Sequence, residues 1–113
     1  MSKILLAEDD TDMRRFLVKA LQNAGFEVTS ALGNEEARRV LSEIAEFALV
    51  VVGWSTGDEE RREMVRWVKQ QYPALRVRAL YSSRGHAIAE GDFNSRSEKP
   101  EEWFTAVKKA AVA

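Results

Sequence analysis

Three consecutive acids stand early in the chain, immediately after a short apolar run. The run covers residues 3–7, and Glu8, Asp9 and Asp10 follow it. Carboxylate oxygens are the ligands that Mg²⁺ prefers in proteins, so one interpretation of the cluster is a residual metal site. The other is a solvated group of acids at the end of a strand, with Asp10 or Thr11 capping the helix that follows.

Few other residues offer chemistry. The single histidine, His86, lies in a polar segment without a partner acid or serine at useful spacing, and we expect it to be solvated. The chain has no cysteine, which excludes disulfides, thiolate metal sites and a cysteine nucleophile. No glycine-rich phosphate cradle accompanies the arginines of the second half, for which we expect a solvated basic face: Arg61, Arg62, Arg66, Arg76, Arg78 and Arg84.

Composition and charge narrow the class of protein. A chain of 113 residues, 45% of them hydrophobic, fits a single domain over residues 1–113 with one core. Seventeen basic and eighteen acidic residues give a formal charge of -1, which predicts neither nucleic acid nor membrane as a partner. The sequence shows no signal peptide and no apolar stretch of membrane-spanning length, so we expect a cytoplasmic protein.

Four apolar or β-branched runs predict strands, at residues 3–7, 26–31, 48–52 and 76–81. The second run is the least apolar of the first three and suits the edge of a sheet. Residues 48–52 are continuously apolar, as expected for a central parallel strand that is covered on both faces. Between residues 82 and 98 the chain is polar, so any helix or strand there should be short.

Helical spacing separates these strands. The first helix begins at Thr11 and is stopped by Gly25, and Asn34 is placed to cap the second. A capping box of Thr56 and Glu59 is predicted for a third helix, which must end before the proline at position 73. A final helix follows the proline at position 100. The first helix should bury Met13, Phe16, Leu17, Ala20, Leu21 and Ala24.

Strands that alternate with helices predict an α/β fold. The favoured solution is a flavodoxin-like, doubly wound parallel sheet of five strands in the order 2-1-3-4-5, with the fourth helix and the fifth strand short or degenerate. In that order a ligand site lies at the carboxyl ends of the first and third strands. Glu8, Asp9, Asp10 and Gly53 should meet there.

The sequence also resembles a known family. The resemblance to response-regulator receiver domains is carried by Ile4-Leu5-Leu6-Ala7-Glu8-Asp9-Asp10, then Met13-Arg14, and finally Lys99-Pro100. Residues 1 to 33 are especially similar to stand-alone receivers of the CpdR type, which act through phosphorylation-dependent protein contacts. Beyond residue 33 the similarity is looser, and residues 82–98 are shorter than in a typical receiver. The resemblance implies a CheY-like fold.

The resemblance also implies roles for residues at the site. Glu8 and Asp9 match the two acids that hold Mg²⁺ in receivers. The carboxylate that attacks the phosphoryl group and becomes an acyl phosphate is replaced by Gly53, which has no side chain. Tyr81, followed by Ser82, takes the place of the hydroxyl residue at the end of the fourth strand.

Two further positions of the family pattern lie near the end of the chain. Lys99 matches the lysine that contacts the phosphoryl group, and its alternative role is an ion pair with Asp9. Arg96 stands where receivers usually carry an aromatic switch residue. Asp58 is a conceivable substitute phosphoacceptor, although a role at the start of the third helix suits its position better.

These features predict a pseudo-receiver, a phosphorylation-independent module for protein interaction and signalling rather than an enzyme. We expect a protein partner of unknown identity, no required cofactor, and at most weak Mg²⁺ binding. Trp103 is expected in the core or against a partner, Trp54 either covers the pocket or projects outward, and Trp67 borders the core. Two alternatives remain open: a small anion or metabolite in the emptied acidic pocket, and a hybrid or designed scaffold without evolved function.

Overall fold

The computed structural model describes residues 3–43, 46–53, 57–81 and 93–96. Three helices and five strands lie in these ranges. In chain order they are β1 (Lys3–Ala7), α1 (Thr11–Asn23), β2 (Glu27–Ala31), α2 (Asn34–Glu43), β3 (Leu49–Val52), α3 (Asp58–Gln71), β4 (Arg76–Tyr81) and β5 (Phe93–Arg96).

The strands form one parallel sheet in the order β2-β1-β3-β4-β5. This confirms the predicted α/β architecture, the strand order and the edge position of β2. The fifth strand is present and short, with four residues paired to β4. The predicted fourth and final helices lie outside the described residues.

Both faces of the sheet are covered. Because side chains alternate along a strand, Leu5 and Val50 face a core that includes α2 and α3, whereas Ile4 and Val51 face a second core against α1. All four residues of β3 are buried, which explains its uninterrupted apolar sequence. None of the helices in the described ranges is long and apolar enough to span a bilayer.

The first helix departs from prediction at one residue. Leu17 and Leu21 are buried, but Phe16 is 59% exposed. Successive helical residues are rotated by about 100°, so Phe16 lies on the flank of the buried stripe and not at its centre. At the start of the helix, the backbone N–H of Asp12 donates to Oδ1 of Asp10 over 3.1 Å, which confirms capping by Asp10.

The second and third helices both start differently from prediction. The N–H of Ala37 donates to the carbonyl of Gly33, so the first turn of α2 closes one residue before Asn34. The Asn34 side chain instead donates to the carbonyl of Glu60 over 3.0 Å, joining the starts of α2 and α3. The residue before α3 is Gly57, which makes no side-chain cap bond. Thr56 of the predicted capping box lies outside the described residues.

Two of the arginines expected on a solvated face are buried. Arg61 is 1% exposed and Arg78 is 4% exposed. Arg61 shares a helical stripe with Met64, Val65 and Val68, and it forms an ion pair with the nearby Asp58. The stripe was visible in the sequence, but an arginine within it was assigned to water by residue type alone. Trp67 is half-buried against the core, as predicted.

Candidate functional site

The register of the sheet brings the first acids and Gly53 together. Ala7 of β1 is paired with Val52 of β3, so Glu8 and Gly53 follow at the same edge of the sheet. The N–H of Gly53 donates to the carbonyl of Ala7 over 2.8 Å, and the N–H of Glu8 donates to the carbonyl of Ala31 over 3.2 Å. These bonds extend the strand pairing and fix both backbones.

The carboxylate of Glu8 lies directly over Gly53. A Cβ atom on Gly53 would be 2.7 Å from both Cδ and Oε1 of Glu8, and 2.9 Å from Oε2. Carbon atoms in good contact are about 3.5 to 4.0 Å apart, so residue 53 has no room for a side chain while Glu8 keeps this position. Glu8 is also completely buried. The hollow expected above a glycine is therefore filled from the neighbouring strand.

The carboxylate of Asp9 lies beside a different glycine, Gly33. Asp9 is exposed, and its Oδ1 would be 2.8 Å from a Cβ atom on Gly33, at the start of α2. Gly33 has a φ of +90°, a conformation that favours glycine, and the absence of a side chain lets Asp9 approach it. The two acids that follow β1 thus place their carboxylates against different glycines on different neighbouring segments.

A Mg²⁺ ion held jointly by Glu8 and Asp9 would need oxygen ligands from both side chains that converge on one point. Asp10 caps α1. Within the described ranges, no three acids or histidines are grouped to hold a metal. Weak Mg²⁺ binding by Glu8 and Asp9 therefore stays a prediction.

Comparison with known proteins identifies the fold. No protein-family model matches the chain. The response regulator receiver protein CpdR of Brucella abortus (strain 2308) is 40% identical over 77 residues, which are 68% of this chain and 63% of CpdR. That stretch is more than twice as long as residues 1–33, so the similarity extends well beyond the first third.

Solved receivers superpose over almost the whole chain. A receiver domain protein from Clostridium thermocellum has a TM-score of 0.87 at 19% identity, covering 98% of this chain and 94% of its own. TrrA of Thermotoga maritima, in complex with Mg²⁺-BeF, has a TM-score of 0.84 at 23% identity, covering 97% and 99%. In fold and in sequence the chain is a response-regulator receiver domain. TrrA has also been solved with the histidine kinase ThkA.

Two of the other predicted site positions lie at the ends of described strands. Tyr81 ends β4 and is paired with Arg96, which ends β5, so both backbones reach the carboxyl edge of the sheet where Glu8 and Gly53 lie. Ser82, Lys99, Trp54 and Trp103 lie outside the described residues, and their roles stay predictions.

Asp58 begins α3, next to the carboxyl edge of this receiver sheet. Its carboxylate forms an ion pair with Arg61, whose side chain is buried in the same turn. With Glu59 and Glu60 it also places three acids in the first turn, where they interact favourably with the helix dipole. The structure therefore gives Asp58 the helix-start role that its position suggested.

A buried charge in β4 was not anticipated. Arg78 alternates with Val77 and Ala79, which face the α2 and α3 core, so it faces the opposite side of the sheet. Burial lowers the pKa of Arg78 to about 10, because the charged guanidinium loses solvation. The side chain still carries its charge at neutral pH. An arginine within a predicted strand was the available signal, although strand periodicity alone does not show that both faces of the sheet are covered.

Proposed function

We propose that this receiver does not accept a phosphoryl group and acts as a phosphorylation-independent module that binds a protein partner in signalling. One observation carries the proposal. The position that should supply the nucleophile is Gly53, and the carboxylate of Glu8 occupies the space that its side chain would need.

Aspartyl phosphorylation needs a carboxylate that a phosphodonor can approach in line. Gly53 offers none. Glu8 is fully buried, Asp10 caps α1, and Asp58 is paired with Arg61, so these acids are held in other roles. Asp9 is exposed, and its carboxylate lies against Gly33. These placements support the loss of phosphorylation, and we propose in addition that the module has no enzymatic activity.

Mg²⁺ is not required in this proposal. In phosphorylating receivers the ion neutralises phosphoryl charge beside the acceptor. Here the two acids lie against different glycines and position 53 has no carboxylate, so we propose that binding is weak and has no role in switching. A backbone NMR titration with Mg²⁺ tests the prediction that binding is weak.

A role in protein interaction is supported by the relatives. TrrA has been solved in complex with the histidine kinase ThkA, which shows one receiver of this fold docked on a protein. For the present chain the partner is a proposal without an identity. The chain matches only 63% of CpdR, and nothing of CpdR's own partners is carried over.

The small-anion alternative places a ligand in the hollow left by Gly53 between Asp9 and Lys99. The Glu8 carboxylate fills the space directly above Gly53, which disfavours a ligand there. Lys99 lies outside the described residues. The hybrid or designed alternative is weakened by similarity to CpdR that continues past residue 33.

The test is incubation of the purified protein with Mg²⁺ and acetyl phosphate, followed by intact mass measurement. TrrA serves as the positive control, because it binds Mg²⁺-BeF. The expected result is a phosphoryl adduct on TrrA and none on this chain. A stoichiometric, hydroxylamine-labile adduct on this chain would show an acyl phosphate and refute the proposal.

A further inference from the structure

A groove beside the edge strand β2 is lined by basic side chains. It lies between the outer face of α1 and β2, has a volume of about 440 Å³, and is lined by Arg14, Arg15, Val18, Lys19, Gln22 and Ser30. The α1 helix contains three basic residues and a single acid, whereas the whole chain has a net charge of -1. Positive charge is therefore concentrated beside this groove.

The basic side chains of the groove are available to a partner. Arg15 and Lys19 are exposed and Arg14 is half-buried. Across the described ranges, none of the three takes part in an ion pair, whereas Lys3, Arg39, Arg61 and Arg62 do. The acids of the described ranges thus do not neutralise the positive charge of the groove, which favours a negatively charged ligand.

The wall opposite α1 is an open strand edge. Among the described strands β2 pairs only with β1, and Glu27, Thr29 and Ser30 are exposed along it. An unpaired edge presents backbone N–H and C=O groups that an extended peptide can pair with. Val28 packs in the core against α1, so Ser30, two residues later, points to the same side and lines the groove.

The spacing of charge suits an extended peptide. Arg15 and Lys19 are four residues apart on α1, which is about 6 Å along the helix axis. Every second residue of a strand points to the same face, and such residues are about 6.6 Å apart. A strand added beside β2 with acids at alternate positions would therefore place successive carboxylates near Arg15 and Lys19.

We propose that the groove between α1 and β2 binds an extended acidic segment of a protein partner, which adds to the edge of the sheet and pairs its carboxylates with α1. The inference rests on the proposed interaction role and names the class of partner. A peptide is favoured over a nucleic acid because the groove combines its charge with a strand edge that matches a peptide backbone.

The test is fluorescence anisotropy with a fluorescein-labelled peptide of four Glu-Val repeats at low salt. Binding to the wild-type protein should weaken as salt rises. The R15E/K19E variant should bind at least about tenfold more weakly, since tenfold is about 1.4 kcal/mol and two charges are reversed. The R39E/R62E variant carries the same change of net charge on α2 and α3, outside the groove, and should bind like the wild type.

Three further arms separate the outcomes. A folded R15E/K19E protein should bind a Lys-Val repeat peptide that the wild type does not bind, so loss of folding cannot imitate the result. Methylation of alternate peptide nitrogens should weaken binding if the peptide pairs with β2. Three results would each overturn the proposal. The methylated peptide could bind as tightly as the unmethylated one, or the two charge variants could bind the acidic peptide equally well. The third is tighter binding of a single-stranded oligonucleotide of equal charge. The phosphorylation assay tests position 53, and the peptide assay tests this groove. The proposed loss of phosphorylation and the proposed peptide binding can therefore fail separately.

Discussion

Replacing Gly53 by alanine tests whether the Glu8 carboxylate fills the space above the end of β3. The φ of Gly53 is outside the left-handed region, so alanine fits the backbone. With free space above it, such a replacement would be neutral or would stabilise by about 0.4 to 1 kcal/mol, because the unfolded chain loses freedom. The new methyl group would instead lie 2.7 Å from Glu8, and relieving this overlap costs about 1 to 3 kcal/mol. We therefore expect a net loss of about 1 to 2 kcal/mol.

Replacing Gly53 by aspartate adds a charge to the same overlap. Two carboxylates about 4 Å apart repel by about 4 kcal/mol at an effective dielectric of 20, which is an upper bound because one of them can keep its proton. Repulsion raises the pKa of one carboxyl in the folded variant above its unfolded value. The stability that G53D loses in addition to the loss of G53A is therefore absent below about pH 4. This additional loss grows as the pH rises toward the raised pKa and is complete above it.

The assay is urea unfolding at pH 5 and pH 7, followed by circular dichroism. Wild type, G53A, G53D and the double variant E8Q/G53D form the series, and the glutamine removes the repulsion while keeping the volume. G53D should be the least stable at pH 7 and should approach G53A as the pH falls. A G53A protein more stable than wild type would refute the reasoning, because it would show that Glu8 either does not occupy this space or leaves it at little cost in free energy.

Three further predictions concern buried and strained residues, and each is checked by equilibrium unfolding. G33A and G25A should each lose about 1 to 2 kcal/mol, because both glycines have positive φ, and the exposed Asp9 carboxylate beside position 33 can move aside. A much larger loss for G33A would show that Asp9 is held in place. R61A should lose about 2 to 4 kcal/mol of stability, because it empties a buried site and leaves Asp58 without its ion-pair partner. R62A removes only a long surface ion pair and should lose less than about 1 kcal/mol. Similar losses for the two variants would contradict the burial of Arg61. Burial lowers the pKa of Arg78 to about 10 and should place the pKa of a lysine at this position lower still. A buried lysine loses its charge, and with it the cost of burying that charge, as the pH rises through its pKa in the folded protein, so R78K should gain up to about 2 kcal/mol of stability relative to wild type between pH 7 and pH 10. A stability difference that does not change with pH would contradict this prediction.

The strands were predictable because their signal is local. The bounds of β1 and β4 agree with prediction, and β2 and β3 each begin one residue later than predicted. The continuous apolar run at β3 indicated cover on both faces, and the alternation of strands and helices then limited the sheet to few orders. These features depend on residue type and spacing, which the sequence displays directly.

Features that depend on tertiary contacts were predicted less well. Asn34 has the residue type of a cap, but its side chain bonds across to α3. Arg61 lies on an apolar stripe, and only the packed structure shows that the guanidinium stays buried with its partner. Phe16 was counted with the core because its spacing is nearly helical, although the stripe is too narrow to cover it. In each case a neighbouring element decides the outcome.

The same distinction applies to the site. The strand order predicted that Glu8, Asp9 and Gly53 would share one edge of the sheet, and the register places them there. The sequence did not show that the two carboxylates turn toward different glycines. Removing the side chain at position 53 leaves room for a neighbouring carboxylate, and the rotamer that takes this room follows from packing in three dimensions.

The most direct test of the central claim is a backbone NMR titration, first with Mg²⁺ and then with Mg²⁺ and beryllofluoride, which mimics a phosphoryl group on an acceptor carboxylate. A receiver without an acceptor carboxylate should show small shifts near Glu8 and Asp9 at millimolar Mg²⁺, and no further change when beryllofluoride is added. Saturable, beryllofluoride-dependent shifts that reach Tyr81 and Ser82 would contradict the claim, because they would reveal an acceptor carboxylate and a receiver that still switches.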